Sequence, residues 1–266
     1  MISDKAYVDP AAKLGKNVTV HPFAYIDADV EIGDNCEIMP YASILRGTRM
    51  GNNNRVFQGA IVGAEPQDFR WKGCESYCYI GNDCTIREGV IINRGIKPEG
   101  GTRVGDKTFI LAHSHIGHDC ELKGKSVIGN GVTFAGSVKV GEYVILSSNS
   151  VLHEGSKVGD WAFVKGGCRI SGNVPPYVIV AHNPVEYFGV NATVLRKKGA
   201  EVGITEEVID DIAKAYRHVY QSGTSVFNAI QRIEADLDDT EIRRNIIDFI
   251  VQNDFKIVAV PIETEE

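Results

Sequence analysis

The sequence predicts a mainly β solenoid, a parallel β-helix of hexapeptide repeats, closed by an α-helical C-terminal domain. Three observations carry this expectation. A large aliphatic residue recurs every six positions through the first two-thirds of the chain. Neither the 3.6-residue period of a helix nor the alternation of a simple sheet fits those residues. From Thr205 onward the spacing changes to that of amphipathic helices.

Stepping by six from Val8 gives Leu14, Val20, Ile26, Ile32, Ile38, Ile44, Met50, Val56 and Val62, and the register returns unshifted at Ile80 to run through Ile170. Of the 28 such positions from 8 to 170, 25 are apolar, the exceptions being Asp68, Cys74 and Pro98. A glycine follows the aliphatic residue repeatedly, as at Gly15, Gly33, Gly51, Gly117 and Gly129, and the fourth residue after it is usually small or β-branched. Cys36, Cys84, Cys120 and Cys168 occupy that fourth place, which reads as small buried side chains. A hexad pattern means short strands joined by corners, with the aliphatic residue and the fourth after it pointing inward. Glycine or asparagine supplies the positive φ that corners demand. This solenoid domain is expected over residues 1–176. Two excursions, 63–79 and 93–103, hold the off-register residues; long loops on a rigid scaffold commonly carry function.

The helical domain is expected over 177–266. Thr205 with Glu206 and Glu207 makes an N-terminal signal, Val208, Ile209, Ile212, Ala215, Tyr216 and Val219 follow at helical spacing, and Gly223 stops the run. A second helix is expected over 226–237 and a third from Thr240 toward Gln252, together shielding the open end of the solenoid.

Composition excludes several classes. The six cysteines show no Cys-x-x-Cys pair, and nothing before Tyr7 resembles a signal peptide, so a reducing, cytoplasmic setting is expected. A formal charge of −7 gives no electrostatic reason to bind nucleic acid. No apolar run approaches the roughly eighteen residues that would span a bilayer.

The chain has seven histidines, and three of them fall in LAHSHIGHDC, residues 111–120. Ile116 is an inward position, so His118 and Asp119 face outward on the same segment. If three hexads make one coil, residues 18 apart superpose at about the 4.8 Å strand spacing. His118 then stacks on Gly136 and Gly136 on Glu154, with Asp119 beneath Ser137. A titratable base lies under a backbone position with no side chain, where an N–H could receive an oxyanion, and that geometry suits acyl transfer. A zinc site is the alternative: His113 and His118 have the H-x4-H spacing of the γ-class carbonic anhydrases, which bind zinc with an open position for water. Such a site also takes a histidine from an earlier coil, and the one available, His21, lies more than five 18-residue coils back. No cofactor and no metal are expected.

The order of short motifs narrows the reading. Along the chain come DP before the first hexads, QDFRWKG from Gln67, IRE and NRG around Arg87 and Arg94, HIGHDC from His115, GGCR from Gly166, NVPPY from Asn173, FGVN ending at Asn191, and LRKKG from Leu195. In this order they resemble the UDP-N-acetylglucosamine O-acyltransferases, hexapeptide-repeat enzymes that catalyse the first step of lipid A biosynthesis, in a form similar to those of Bacteroidetes. The resemblance covers nearly the whole chain.

It implies a left-handed β-helix, the opposite of the usual crossover hand, and a reaction that moves a 3-hydroxyacyl group from acyl carrier protein to the sugar 3-hydroxyl of UDP-N-acetylglucosamine. It implies His118 as general base, Asp119 as its orienting partner and the Gly136 N–H as oxyanion donor. Gln67, Asp68, His115 and His153 match residues around the sugar and the cleft. Asn191, Arg196, Lys197 and Lys198 fall where the family binds the uridine diphosphate, and Gly166 and Gly167 where it sets the depth of the acyl groove. Three departures stand out: Ser137 replaces a histidine, Glu154 replaces a glutamine, and Lys197 and Lys198 replace arginines, whose planar forks suit phosphate better. The family is a homotrimer with active sites between subunits, which would cover outward residues such as Tyr143, Phe163 and Val164. Because acyl carrier protein is acidic, docking needs a local basic patch. The later N-acyltransferase of the same pathway carries a separate domain before its hexads, serine acetyltransferases an N-terminal helical domain and sugar nucleotidyltransferases a nucleotide-binding domain, whereas the hexads here begin at Val8.

Overall fold

A computed structural model describes residues 1–98 and 100–259. Glu99 in the second excursion and the tail beyond 259 lie outside the described residues. The chain winds as the expected left-handed parallel β-helix, with three faces of nine, nine and ten short strands. The first face runs from Tyr7–Val8 to Arg169–Ile170, the second from Lys13–Leu14 to Asn173–Val174, and the third begins at Thr19–Val20.

One coil takes three hexads, as the pairing Tyr7↔Tyr25↔Ser43↔Ile61 shows. Across the first excursion the partner of Ile61 is Ile91, 30 residues on, and across the second the partner of Ile91 is His115, 24 on. The two loops therefore insert 30 − 18 = 12 and 24 − 18 = 6 residues. Both are whole hexads, which is why the aliphatic register resumes without a shift and why its exceptions fall in the loops.

The register residues form the core: Ile26, Ile38, Ile44, Ile86, Ile110, Ile116, Ile128 and Leu146 are fully buried. The fourth-place cysteines are buried with them. Cys36, Cys84 and Cys120 direct Sγ to the carbonyls of Gly51, Gly105 and Ala135, and burial raises the Cys84 thiol to about 11 and Cys120 to about 12. Asn54 takes the same place, and its amide is satisfied by the Gly51 and Gly81 carbonyls and the Cys84 N–H.

Glycine and asparagine do supply the positive φ of the corners, as at Gly47, Gly59, Gly131, Gly155 and Asn35, and other residues share the place. Positive φ falls at the third residue after the aliphatic, held by Asn17, Asn35, Asn53, Asp83, His113, Asp119, Ser137 and Asn149 among others. Asparagine and aspartate tolerate this region best, and here their side chains also link coil to coil, Asn17 to Asn35 to Asn53 to Asp83. The glycine directly after the aliphatic residue serves another need. A Cβ on Gly117 would lie 2.6 Å from the Ala135 carbonyl oxygen and one on Gly129 2.7 Å from that of Leu146, so glycine there lets successive coils approach.

Val164 does not face outward: it lies in the register, fully buried, while Tyr143 stacks on Trp161 with ring centroids 4.0 Å apart. The third face continues past Pro176 with Val178–Ala181, paired parallel to Phe163–Val164, and ends in the antiparallel strand Glu186–Val190. Among the described residues four α-helices follow: α1 (Ala192–Lys198), α2 (Glu206–Tyr220), α3 (Val226–Asp236) and α4 (Glu241–Val251). Thr205, Ser225 and Thr240 cap the last three with their hydroxyls. The tail covers the last coil through named contacts. The Tyr216 hydroxyl donates to the Pro176 carbonyl, and the Asn245 amide reaches Asp160 and the Tyr177 hydroxyl.

Candidate active site

His118 projects from the corner after Ile116 and is nevertheless buried, because the first loop folds over it. Its Nδ1 lies 2.8 Å from Asp119 Oδ2, and its Nε2 lies 3.2 Å from Asp68 Oδ2. The left-handed backbone at Asp119, φ 55°, turns that carboxylate back toward the ring; the other Asp119 contact is the Ile96 N–H in the second loop. One coil along, the Ser137 N–H donates to the His118 carbonyl at 2.9 Å, and the Gly155 N–H donates to the Gly136 carbonyl at 3.1 Å. The stack of His118, Gly136 and Glu154 expected from 18-residue spacing therefore exists. Gly136 has no room for a side chain: a Cβ there would collide with the His118 ring. The Gly136 N–H donates to no protein acceptor among the described residues.

These groups line a cleft of about 450 Å³ together with Gln67, Asn93, His115, Gly117, Thr133, Phe134, Ala135 and Glu154. Asp68 is held well below the usual carboxylate range, first by the side-chain hydrogen bonds of Arg70 and then by the Arg70 backbone N–H. His115 is pushed down by burial and secondarily by His118. The structure thus unites Gln67, Asp68, His115, His118, Asp119, Gly136 and Glu154. Ser137 sits beside them at the corner, half-buried, with φ 60°. His153 is exposed on the coil next to Glu154.

Two residues at the site escaped the sequence reading as individuals. Arg70 pairs with both Asp68 and Glu154. Asn93 donates to the Glu65 carbonyl at 2.6 Å and keeps a buried Oδ1 with no partner among the described residues, on the cleft wall. Their signal was their place in the two excursions, which identifies loops but not which loop residues turn inward.

The tail residues lie elsewhere on the chain and do not line this cleft. Asn191 is buried with its amide donating to the Trp161 carbonyl at 2.8 Å, so it fastens the start of α1 to the last coil. Arg196 pairs with Glu206, while Lys197 and Lys198 are exposed with no ion pair among the described residues. Gly166 and Gly167 form an exposed corner, and a Cβ on Gly167 would meet nothing within 4 Å. Among the described residues no group of three or more His, Cys, Asp or Glu side chains is arranged to hold a metal ion.

Known proteins resemble the whole of this arrangement. Residues 173–258 match the family model described as UDP N-acetylglucosamine O-acyltransferase, domain 2, and residues 2–98 match a model described as the GMPPB C-terminal domain. The acyl-(acyl-carrier-protein)–UDP-N-acetylglucosamine O-acyltransferase of Halorhodospira halophila is 38% identical over 250 residues, 94% of this chain and 95% of that one. Its namesake from Ectopseudomonas mendocina is 38% identical over 233 residues, 87% of this chain and 89% of that one. Among solved structures, LpxA of Bacteroides fragilis, a UDP-N-acetylglucosamine acyltransferase, superposes with a TM-score of 0.93 at 39% identity, covering 98% of this chain and all of that one. From its corners to its tail, this chain belongs to the UDP-N-acetylglucosamine O-acyltransferase family.

Proposed function

We propose that this protein transfers a 3-hydroxyacyl group from acyl carrier protein to the 3-hydroxyl of UDP-N-acetylglucosamine, the first step of lipid A biosynthesis, acting in the cytoplasm as a homotrimer. The observation that carries the reading is the His118 ring, fixed at Nδ1 by Asp119 at 2.8 Å and turned with Nε2 into a cleft that ends at bare Gly136. Nε2 takes the proton from the sugar hydroxyl as its oxygen attacks the thioester carbonyl. The Gly136 N–H receives the charge that develops on the carbonyl oxygen. Collapse of the tetrahedral intermediate breaks the C–S bond, and the imidazolium returns the proton to the leaving thiolate, so the base is regenerated without an acyl-enzyme. Asp119 keeps the proton on Nδ1 and stabilises the imidazolium between the two transfers.

Asp68, at 3.2 Å from Nε2, marks where the sugar enters, because the accepting hydroxyl must share that edge of the ring. Gln67 and Glu154 flank it. Asn191 at the start of α1 and Arg196, Lys197 and Lys198 at its end lie away from this cleft on one chain, so in the homotrimer they meet the diphosphate from a neighbouring subunit. Lys197 and Lys198 bear no ion pair among the described residues, and Arg196 is paired with Glu206 at an exposed site. No described helix is long and apolar enough to cross a membrane. The deciding assay offers a ladder of 3-hydroxyacyl carrier proteins with UDP-N-acetylglucosamine and follows O-acylated sugar. Product that depends on both substrates is expected; its absence at every chain length overturns the proposal.

A further inference from the structure

Glu154 stands two coils along from His118 in the same outward place, with its side chain half exposed at the mouth of the cleft. Its Oε1 accepts from Arg70 Nη2 at 2.6 Å, although the two residues are 84 apart in sequence. The same guanidinium grips Asp68, with Nε 3.0 Å from both carboxylate oxygens and Nη2 2.6 Å from Oδ2. Asp68 in turn touches His118 Nε2. An unbroken chain of charged contacts therefore runs from Glu154 through Arg70 and Asp68 to the ring.

The base of the first loop is secured independently, by Glu65 with Asn93 and Arg94 and by Cys74 with the Ile96 carbonyl. At its tip, Trp71 lies beneath the Arg94 guanidinium, 5.2 Å from the ring centroid. Across residues 67–72, the pairs Arg70–Glu154 and Asp68–His118 are the only side-chain hydrogen-bonded or ionic ties to the coils among the described residues. Arg70 and Asp68 also satisfy each other within the loop, so losing Glu154 would leave their pair intact but held to the coils by the Asp68–His118 contact alone.

We propose that Glu154 is a positioning residue for the sugar-binding half of the site: it draws Arg70 across the cleft and thereby sets Asp68 against the Nε2 edge of His118. An exposed ion pair contributes little to global stability. The effect of this one is on where a carboxylate sits, and the inference rests on the acyl-transfer reading for its kinetic consequence.

The test compares wild type with Glu154→Gln, Glu154→Asp, Arg70→Gln and the Glu154→Gln/Arg70→Gln double variant. The Michaelis constant for UDP-N-acetylglucosamine, turnover, melting temperature and amide exchange of the segment 67–73 are measured for each. Glu154→Gln should raise the Michaelis constant roughly tenfold, within the range for members of one ion-pair network, with the melting temperature unchanged and the 67–73 amides exchanging faster. Glu154→Asp, which keeps the charge, should recover most of that loss. With glutamine at position 70, removing the Glu154 charge should add less than about twofold, because the link is already broken. Multiplicative losses in the double variant, or a Michaelis constant that ignores Glu154→Gln, overturn the proposal while leaving acyl transfer standing. If wild type transfers no acyl group, the functional reading fails separately, and unchanged loop exchange in Glu154→Gln then overturns the positioning role as well.

Discussion

At the scale of residues, the site depends on two neighbours with opposite requirements: a ring that must be present and a side chain that must be absent. His118→Ala should lower turnover by about a hundredfold or more, the contribution of a general base, while melting temperature and assembly stay as in wild type. Gly136→Ala tests the other requirement, since its methyl would occupy the space of the His118 ring. It should lower turnover at least about tenfold while carrier-protein affinity holds; wild-type turnover in either variant removes His118 from the reaction. The pH profile follows from Asp68. Its folded value is depressed, so the stabilisation it gives its contacts is fully present above the ordinary carboxylate range and is lost only as pH falls through the lower folded value. Asp68 therefore stays ionised through neutral pH, and the rate profile should show no acid limb there that climbs with added organic solvent, as the limb of a neutral carboxyl losing its proton does. Such a climbing limb near neutral pH would contradict an ionised Asp68 in the working site.

At the scale of elements, the six-residue register made the solenoid legible because every hexad repeats the same packing problem, and the loops preserved it by inserting whole hexads. The stack of His118 under Gly136 was readable for the same reason. What escaped was whatever depends on non-repeating backbone. The sequence points to glycine and asparagine for the positive φ of the corners, but not to His113, Asp119 and Ser137, which share the same third place. The Arg70–Glu154 pair joins residues 84 apart across a loop, a distance no spacing rule spans. Helix α1 was missed: it is only seven residues long, and its N-cap, Asn191, makes no side-chain cap hydrogen bond. That helix nonetheless presents Lys197 and Lys198 together. Lys197→Gln/Lys198→Gln should raise the Michaelis constant for the nucleotide sugar with little change in turnover, because phosphate charge is the same in ground and transition states. The wild-type constant should itself rise with salt. Unaltered affinity in the double variant makes these lysines ordinary surface.

At the scale of the whole molecule, the proposed function has one chain supply the base and the sugar side of the cleft and a second copy help form the acyl side. The corner Gly166–Gly167 is exposed, and on that proposal a neighbouring copy packed against it would turn the corner into a groove. The resemblance that implies a trimer also places this corner at the end of the acyl path, and the two glycines put no side chain there. A long acyl chain, on the order of fourteen carbons or more, is the expected substrate, each methylene contributing about 0.8 kcal/mol if it leaves water. Gly166 is the better position to fill: Gly167 has φ 76°, a conformation a methionine would hold only under strain, whereas at Gly166 a Cβ meets one close neighbour, the Ser148 carbonyl oxygen at 3.1 Å. Gly166→Met should therefore fold and shift preference toward shorter chains. The measurement is a competition between short and long 3-hydroxyacyl carrier proteins, with product mass reporting which chain was transferred. A wild type that prefers ten carbons, or a methionine variant that keeps the long-chain preference, would place the limit on chain length at another part of the interface.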